Sequence, residues 1–150
     1  MKIKVLLAAA MAVSILGCTK EKPEEPLVPV ETDYVGTVSV IYNGEPFDNE
    51  NISVNFAPAE DARTASVTLH QIRFVPQMPV TIDVTIPGIE LQSSIGKITL
   101  SCERTIPLAL GGEYPRYTVT GLKGEIVGEE LSFSLNFGDY PTSFKGKKGL

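Results

Sequence analysis

Few side chains of this 150-residue chain have the chemistry for catalysis or metal binding. There is one histidine, His70, and two cysteines, Cys18 and Cys102. Nucleophilic catalysis needs a base beside the nucleophile, and a structural zinc site needs about four Cys or His ligands. We therefore predict a protein that is not an enzyme, with no catalytic residues, no metal site and no cofactor.

The strand pattern around His70 and Cys102 predicts a passive role for both. His70 shares the polar phase of Ser66 and Thr68, which indicates a solvated surface position. Cys102 shares the apolar phase of Ile98 and Leu100, which is typical of a buried, unreactive thiol. As the only cysteine of its domain, Cys102 has no partner for an internal disulfide.

Acidic and aromatic residues leave one further candidate. The neighbouring carboxylates of Glu60-Asp61 and Glu129-Glu130 are too few and too closely spaced for a calcium loop, so we interpret both pairs as solvated turns. Three tyrosines, Tyr114, Tyr117 and Tyr140, lie near two predicted turns. They either form a sugar-binding platform at one end of the domain or cap the edge of the core with hydroxyls reaching water.

The N-terminus places Cys18 directly after the most apolar stretch. Met1 to Lys4 carries two lysines, residues 5–16 are uncharged, and Gly17 is small, which is the pattern of a secretory signal peptide. The apolar run is too short for a membrane-spanning helix of about 20 residues.

Ile15-Leu16-Gly17-Cys18 resembles the bacterial lipobox. The resemblance implies a diacylglyceryl thioether on Cys18, cleavage before it, and usually a third acyl chain of the palmitate type. Several chains together give stable membrane attachment. The protein is then expected in the cell envelope, lipid-anchored to the outer membrane on its periplasmic or its exposed face. The alternative is an ordinary secretory signal followed by a chance cysteine.

Composition divides the chain into three parts: a signal peptide at 1–17, a lipidated cysteine with a disordered Pro- and Glu-rich tether at 18–33, and one domain at 34–150. Loss of Lys2 and Lys4 leaves 11 basic and 18 acidic side chains, a net charge of −7. This charge argues against nucleic acid as a partner.

The domain shows the period-two alternation of half-buried strands, most clearly in "LSFSLNF" at 131–137. Turn signals at 43–46, 47–51, 87–88 and 127–131 separate the strands, and a phase slip between His70 and Ile72 predicts a bulge. About eight strands and no helical period predict an all-β antiparallel barrel, with a β-sandwich as the alternative.

The run "YTVTGLKGEIVGEELSFSLNFGDYPTSFKGKK" at 117–148 resembles the calycin-like β-barrel domain of small lipoproteins secreted by Gram-negative bacteria. "YVGTVSVIYNGEPF" at 34–47 and "ITLSCE" at 98–103 are similar to the first strand and a middle strand of that family. The resemblance implies a calycin-like or lipocalin-like barrel over residues 34–148 and no particular activity.

Two functions remain open. The first is binding of a small apolar or amphipathic ligand in the barrel mouth, since barrels of about eight strands either hold one small ligand or are filled by their own side chains. The alternative is a surface accessory module that contacts a protein or a glycan. Bulky residues in the inward phase, among them Phe56, Phe133 and Phe137, favour a filled interior.

The lipid anchor leads to a first prediction. Cys18→Ala is expected to move the protein from the membrane fraction to the soluble fraction without changing the fold, because the anchor and the domain share no core. Fractionation followed by immunoblotting measures the first effect, and the thermal melting curve measures the second. A variant that stays with the membranes would contradict lipidation at Cys18.

Overall fold

A computed structural model describes residues 26–149, so Cys18 and the predicted signal peptide lie outside the described residues. Ten strands follow each other: β1 (Thr32–Tyr42), β2 (Glu45–Pro58), β3 (Thr64–Ile72), β4 (Ile82–Ser94), β5 (Lys97–Thr105), β6 (Leu108–Ala109), β7 (Gly112–Glu113), β8 (Val119–Val127), β9 (Glu130–Phe137) and β10 (Tyr140–Lys148). The only helical element in 26–149 is a 3₁₀ turn at Pro115–Tyr117. None of these residues forms a helix that is long and apolar enough to cross a membrane.

The eight long strands form a closed antiparallel barrel. Hydrogen bonding runs in the order β3-β2-β1-β10-β9-β8-β5-β4, and β4 pairs with β3 to complete the ring. The short β6–β7 hairpin is added to β4 outside this ring. The predicted all-β barrel is therefore confirmed, and the architecture is consistent with a calycin-like barrel rather than the alternative sandwich.

Alternating side chains fill the interior from every long strand. β9 shows the pattern most simply, since Leu131, Phe133, Leu135 and Phe137 are all buried, as their period predicts. The largest fully buried side chains are Phe56, Phe74, Phe137, Phe144, Leu69, Ile72, Ile86, Ile89, Leu100, Leu122, Leu131 and Val38. An eight-stranded barrel is only just wide enough for such side chains, so they occupy the space that a lipocalin-type ligand would need.

The tight turns follow the predicted chemistry. Asn43 and Gly44 both have positive φ, 52° and 78°, in the two-residue connection between β1 and β2. Gly128 has φ 60° in the β8–β9 hairpin. The predicted bulge near His70 is also present, because the β3–β4 register shifts between Leu69 and Ile72. These features bend the strands and help the sheet to close.

Two predicted strand boundaries are wrong, and both positions are bulges instead. β4 continues through Pro87 and Gly88, where the β3–β4 register shifts and Gly88 has φ 72°. A bulge tolerates a proline because it interrupts the ladder of hydrogen bonds. The predicted reversal at 47–51 likewise lies inside β2, where Asn51 has φ 57° opposite the shift between Gly36 and Val38.

The segment before β1 packs against the barrel. β1 begins at Thr32, inside the stretch 18–33 that sequence assigned to the tether. Leu27 N–H donates to Ser94 O at 3.1 Å, Pro26 forms an isolated bridge with Ile95, and Pro29 is buried. Residues 26–31 therefore cover the end of the barrel at which the chain enters.

The interior packing leads to a second prediction. Phe133→Ala is expected to lower the free energy of unfolding by about 3–5 kcal/mol, because it removes most of a buried ring and leaves a cavity. Chemical denaturation measures the change. Ser134→Ala is the matched control, since Ser134 is the exposed neighbour on the same strand and its replacement should cost less than about 0.5 kcal/mol. Equal losses in the two variants would mean that the inner face of β9 is assigned wrongly.

Candidate functional site

Strand direction gives the barrel two different ends. One end, here called the aromatic end, carries the connections 43–44, 73–81, 106–118 and 138–139. The other, here called the tether end, carries residues 26–31, the connections 59–63, 95–96 and 128–129, and the C-terminus. Tyr114, Tyr117 and Tyr140, which sequence predicts to form either a sugar platform or a cap on the core, all lie at the aromatic end.

A stack of aromatic rings covers the aromatic end. Tyr117 lies between Phe74, with ring centroids 4.1 Å apart, and Tyr114, at 5.2 Å, and both pairs are close to parallel. Phe74 in turn contacts Phe137 edge-on at 4.9 Å. The stack thus begins in the barrel core and ends at the half-buried Tyr114 on the surface.

Two further tyrosines extend this layer sideways. Tyr140 lies 6.1 Å from Tyr117, and Tyr42 lies 6.2 Å from Tyr140, measured between ring centroids. Tyr42 and Tyr140 are half-buried, whereas Tyr117 is only 8% exposed. The four tyrosines, Tyr42, Tyr114, Tyr117 and Tyr140, are called the tyrosine cluster below.

Local backbone structure brings Tyr114 and Tyr117 together. Pro115 begins a 3₁₀ turn, and the fixed φ of proline suits this first helical position. In a 3₁₀ turn the side chains of residues three apart nearly eclipse each other. Tyr117 N–H donates to Tyr114 O at 3.1 Å. Gly138 N–H donates to Thr118 O at 2.9 Å, and a Cβ at Gly138 would lie 2.7 Å from Arg116 O, so the β9–β10 turn fits this site only as glycine.

The loop that supplies Phe74 is held by an amide. Asn49 Nδ2 donates to Arg73 O at 3.1 Å, and Arg73 N–H donates to Asn49 Oδ1 at 2.9 Å. Phe74 N–H also donates to Met78 Sδ at 3.1 Å. The loop 73–81 is thereby fixed across the top of the core, with Phe74 fully buried.

The electrostatics of the tyrosine cluster are those of a weakly polar surface. Burial raises the pKa of Tyr117, and the Arg116 guanidinium, 5.6 Å from the ring centroid, partly offsets this rise in the pKa. The hydrogen bonds found between described side chains do not include the four phenol hydroxyls, and none of these oxygens is buried without a partner. Tyr117 therefore caps the core, while the hydroxyls reach water.

The structure does not bring the other candidate residues into this site. His70 lies on the outer wall, half-exposed, with Nδ1 3.2 Å from Asp83 Oδ2. Asp83 Oδ1 also accepts the Gln71 N–H at 2.9 Å, at the bulge where Gln71 has φ 59°. The Asp83 carboxylate therefore stabilises the bulge, and His70 contacts this carboxylate from the outer surface of the barrel. Among residues 26–149 there is no group of three or more His, Cys, Asp or Glu that could hold a metal ion.

Cys102 differs from its prediction, because its side chain is half-buried rather than buried. β4 pairs with β5 only as far as Glu90 and Ser101, and closer to the aromatic end it pairs with β6 instead. The two strands part beside Cys102, and a surface depression of about 730 Å³ opens there. Burial still raises the pKa of the Cys102 thiol, although a backbone hydrogen bond to Arg104 acts in the other direction.

A second depression of about 720 Å³ lies on the outer wall of β1, β8, β9 and β10. Hydroxyl side chains such as Ser132, Ser134 and Ser143 line it, flanked by Lys123 and Lys145. His70 is on β3 and does not line it, so these hydroxyls have no histidine base beside them. Both depressions lie on the walls of the barrel, and the second is also lined by the core rings of Phe133 and Phe144. The tyrosine cluster instead lies at the end of the barrel that carries the long connections.

Sequence reasoning missed two members of the aromatic end, Phe74 and Tyr42. Phe74 lies in the irregular connection 73–81, two residues before Pro76, where no period marks it as buried, and Tyr42 is the last residue of β1. The Asn43-Gly44 turn was a usable signal for Tyr42, because it places that residue at the same end as Tyr140.

No protein-family model matches the chain, and no curated protein matches it in sequence.

The position of Cys102 leads to a third prediction. In the Cys18→Ala protein, where Cys102 is the only thiol, the reaction with Ellman's reagent is expected to be slower in the folded state than in urea. The raised pKa keeps the thiol protonated, so the folded-state rate should keep rising with pH above the ordinary thiol pKa of about 8.5. Equal folded and unfolded rates at every pH would show that Cys102 is neither shielded nor perturbed.

Proposed function

We propose that the protein is a lipid-anchored, non-catalytic binding protein of the cell envelope whose tyrosine cluster contacts a glycan. The observation that carries this proposal is the position of the tyrosine cluster at the end of the barrel opposite the chain segment that leads to Cys18. A surface at that end faces away from the membrane in which an acylated Cys18 would lie.

The chemistry of the cluster suits a sugar. Sugar rings present C–H groups that pack on flat aromatic faces, and they carry hydroxyls that exchange hydrogen bonds with phenols and charged groups. Exposed polar residues stand directly beside the tyrosines in sequence: Asn43 follows Tyr42, Asp139 precedes Tyr140, and Arg116 precedes Tyr117. These groups can fix the orientation of a ring that the tyrosines hold by stacking.

The packing of the barrel interior favours this proposal over the alternative that the protein carries a small apolar ligand. A carrier needs free volume inside the barrel, and the ring stack from Phe137 through Phe74 to Tyr117 occupies the barrel mouth. A glycan at the surface needs no such volume. The calycin-like lipoprotein family that the sequence resembles remains part of this proposal, as does the outer-membrane location.

The proposal is tested with the soluble Cys18→Ala protein on an array of bacterial and host glycans, followed by titration of the strongest binder. Tyr114→Ala and Tyr140→Ala are expected to weaken binding by about 2- to 10-fold each, if a sugar contributes about as much as an aromatic pair, 0.5–1.5 kcal/mol. The Tyr→Phe variants at the same positions separate stacking from hydroxyl contacts. Ser134→Ala, on the outer wall, is the control and should bind normally.

Native mass spectrometry of protein from its own host distinguishes the alternatives. For a glycan-binding module in the absence of its partner, the expected mass is that of the polypeptide with its covalent acyl chains on Cys18 and no non-covalently bound molecule. A co-purified lipid or other apolar molecule, together with no glycan on the array, would overturn the proposal in favour of the carrier.

A further inference from the structure

The tether end of the barrel carries a group of exposed apolar side chains. Ten large hydrophobic side chains are exposed among the described residues; five of them lie at this end, and four lie at or beside the aromatic-end connections. Leu27, Val28 and Val30 belong to the segment before β1, Ile95 lies in the β4–β5 turn, and Val127 lies beside the β8–β9 turn. Their exposed fractions run from 36% at Leu27 to 75% at Val28.

These five residues are fixed relative to each other. The bridge between Pro26 and Ile95 and the hydrogen bond from Leu27 N–H to Ser94 O join the N-terminal segment to the β4–β5 turn. Val28 and Val30 line a cleft of about 200 Å³ together with the core residues Phe56 and Ile126. Charged side chains, Glu129 and Lys148, also line this cleft. The apolar surface of the tether end is therefore a built feature of the barrel, since turn, segment and cleft adjoin.

Chain length indicates what covers this surface. Seven residues separate Cys18 from Pro26, so the extended chain between these two Cα atoms spans at most roughly 29 Å. If Cys18 is acylated, as the proposed function holds, the tether end is the part of the barrel that the chain keeps closest to the bilayer. The aromatic end is farther away by about the length of a nine-residue strand, roughly 30 Å before tilt.

The charged side chains at the tether end indicate which lipid headgroups this end could contact. Exposed Lys97, Lys147 and Lys148 lie at the tether end, but Glu31, Glu129 and Glu130 lie there too. Such a mixed rim offers no net attraction to anionic headgroups, so apolar burial has to supply the contact.

We propose that the tether end of the barrel rests on the bilayer that holds Cys18, with Leu27, Val28 and Ile95 in the interfacial layer of a zwitterionic phospholipid surface. The inference rests on the proposed lipid anchor and adds a fixed orientation to it. The barrel then stands with the tyrosine cluster facing outward, instead of tumbling freely on its tether.

The absence of tryptophan from the sequence makes a direct test possible. The acylated full-length protein is reconstituted into phosphatidylcholine vesicles with a single introduced tryptophan, either Ile95→Trp or the control Val80→Trp. Ile95 is 61% exposed at the tether end and Val80 is 60% exposed at the aromatic end, so the two sites are matched in exposure and differ in position. Circular dichroism verifies that both variants are folded.

Interfacial side chains lie about 5–10 Å into the headgroup and acyl boundary, so the emission of Ile95→Trp should shift to shorter wavelength on reconstitution. Brominated acyl chains should quench it roughly twofold more than they quench Val80→Trp. Equal quenching of the two variants in vesicles that do carry the protein would overturn the inference and leave the anchor intact.

Two controls test the lipid anchor and self-association separately. Failure of the acylated wild-type protein to float with vesicles would refute the anchor, and with it the inference. If the soluble Cys18→Ala protein sediments as a dimer that Ile95→Asp dissociates, then a second copy of the chain covers the tether end, and the bilayer contact is refuted.

Discussion

The pairing of β3 with β4 converts a row of antiparallel strands into a ring, and the rest of the structure depends on that closure. A closed sheet has no long edge to aggregate, and it encloses one side of every strand. The ring also joins the first and last strands of the domain, because Tyr34 of β1 pairs with Lys148 of β10. The inward phase of each strand is therefore protected from water only when all eight strands are present.

The closure is incomplete between β4 and β5. Their ladder ends at Glu90 and Ser101, after which β5 keeps β8 as its partner and β4 takes the short β6. The bulge at Pro87-Gly88 lies directly beside this divergence on β4, where a proline without an N–H and a glycine at positive φ are both tolerated. The half-exposed Cys102 and the depression beside it are consequences of the same divergence.

Regular alternation made most of the fold predictable from sequence, and the exceptions have a common cause. The inner face of β9, the turn at Asn43-Gly44 and the bulge near His70 all depend on residues adjacent in sequence. Pro87-Gly88 and the segment 47–51 were misassigned because bulges and turns use the same residue types. The burial of Cys102 depends on where β4 separates from β5, and the stacking of Phe74 on Tyr117 joins two loops far apart in sequence, so neither has a local signal.

Connection lengths give the two ends of the barrel their different characters. The long connections, 73–81 and 106–118, are both at the aromatic end, whereas two-residue turns such as 95–96 and 128–129 predominate at the tether end. Long loops on a rigid scaffold are where proteins usually place binding residues. Here those loops deliver Phe74, Tyr114 and Tyr117 to one layer, which is anchored in the core through Phe137. The short turns leave the tether end compact enough for residues 26–31 to cover it. In the proposed function, the end built from loops would meet the glycan, and the end covered by residues 26–31 would face the membrane.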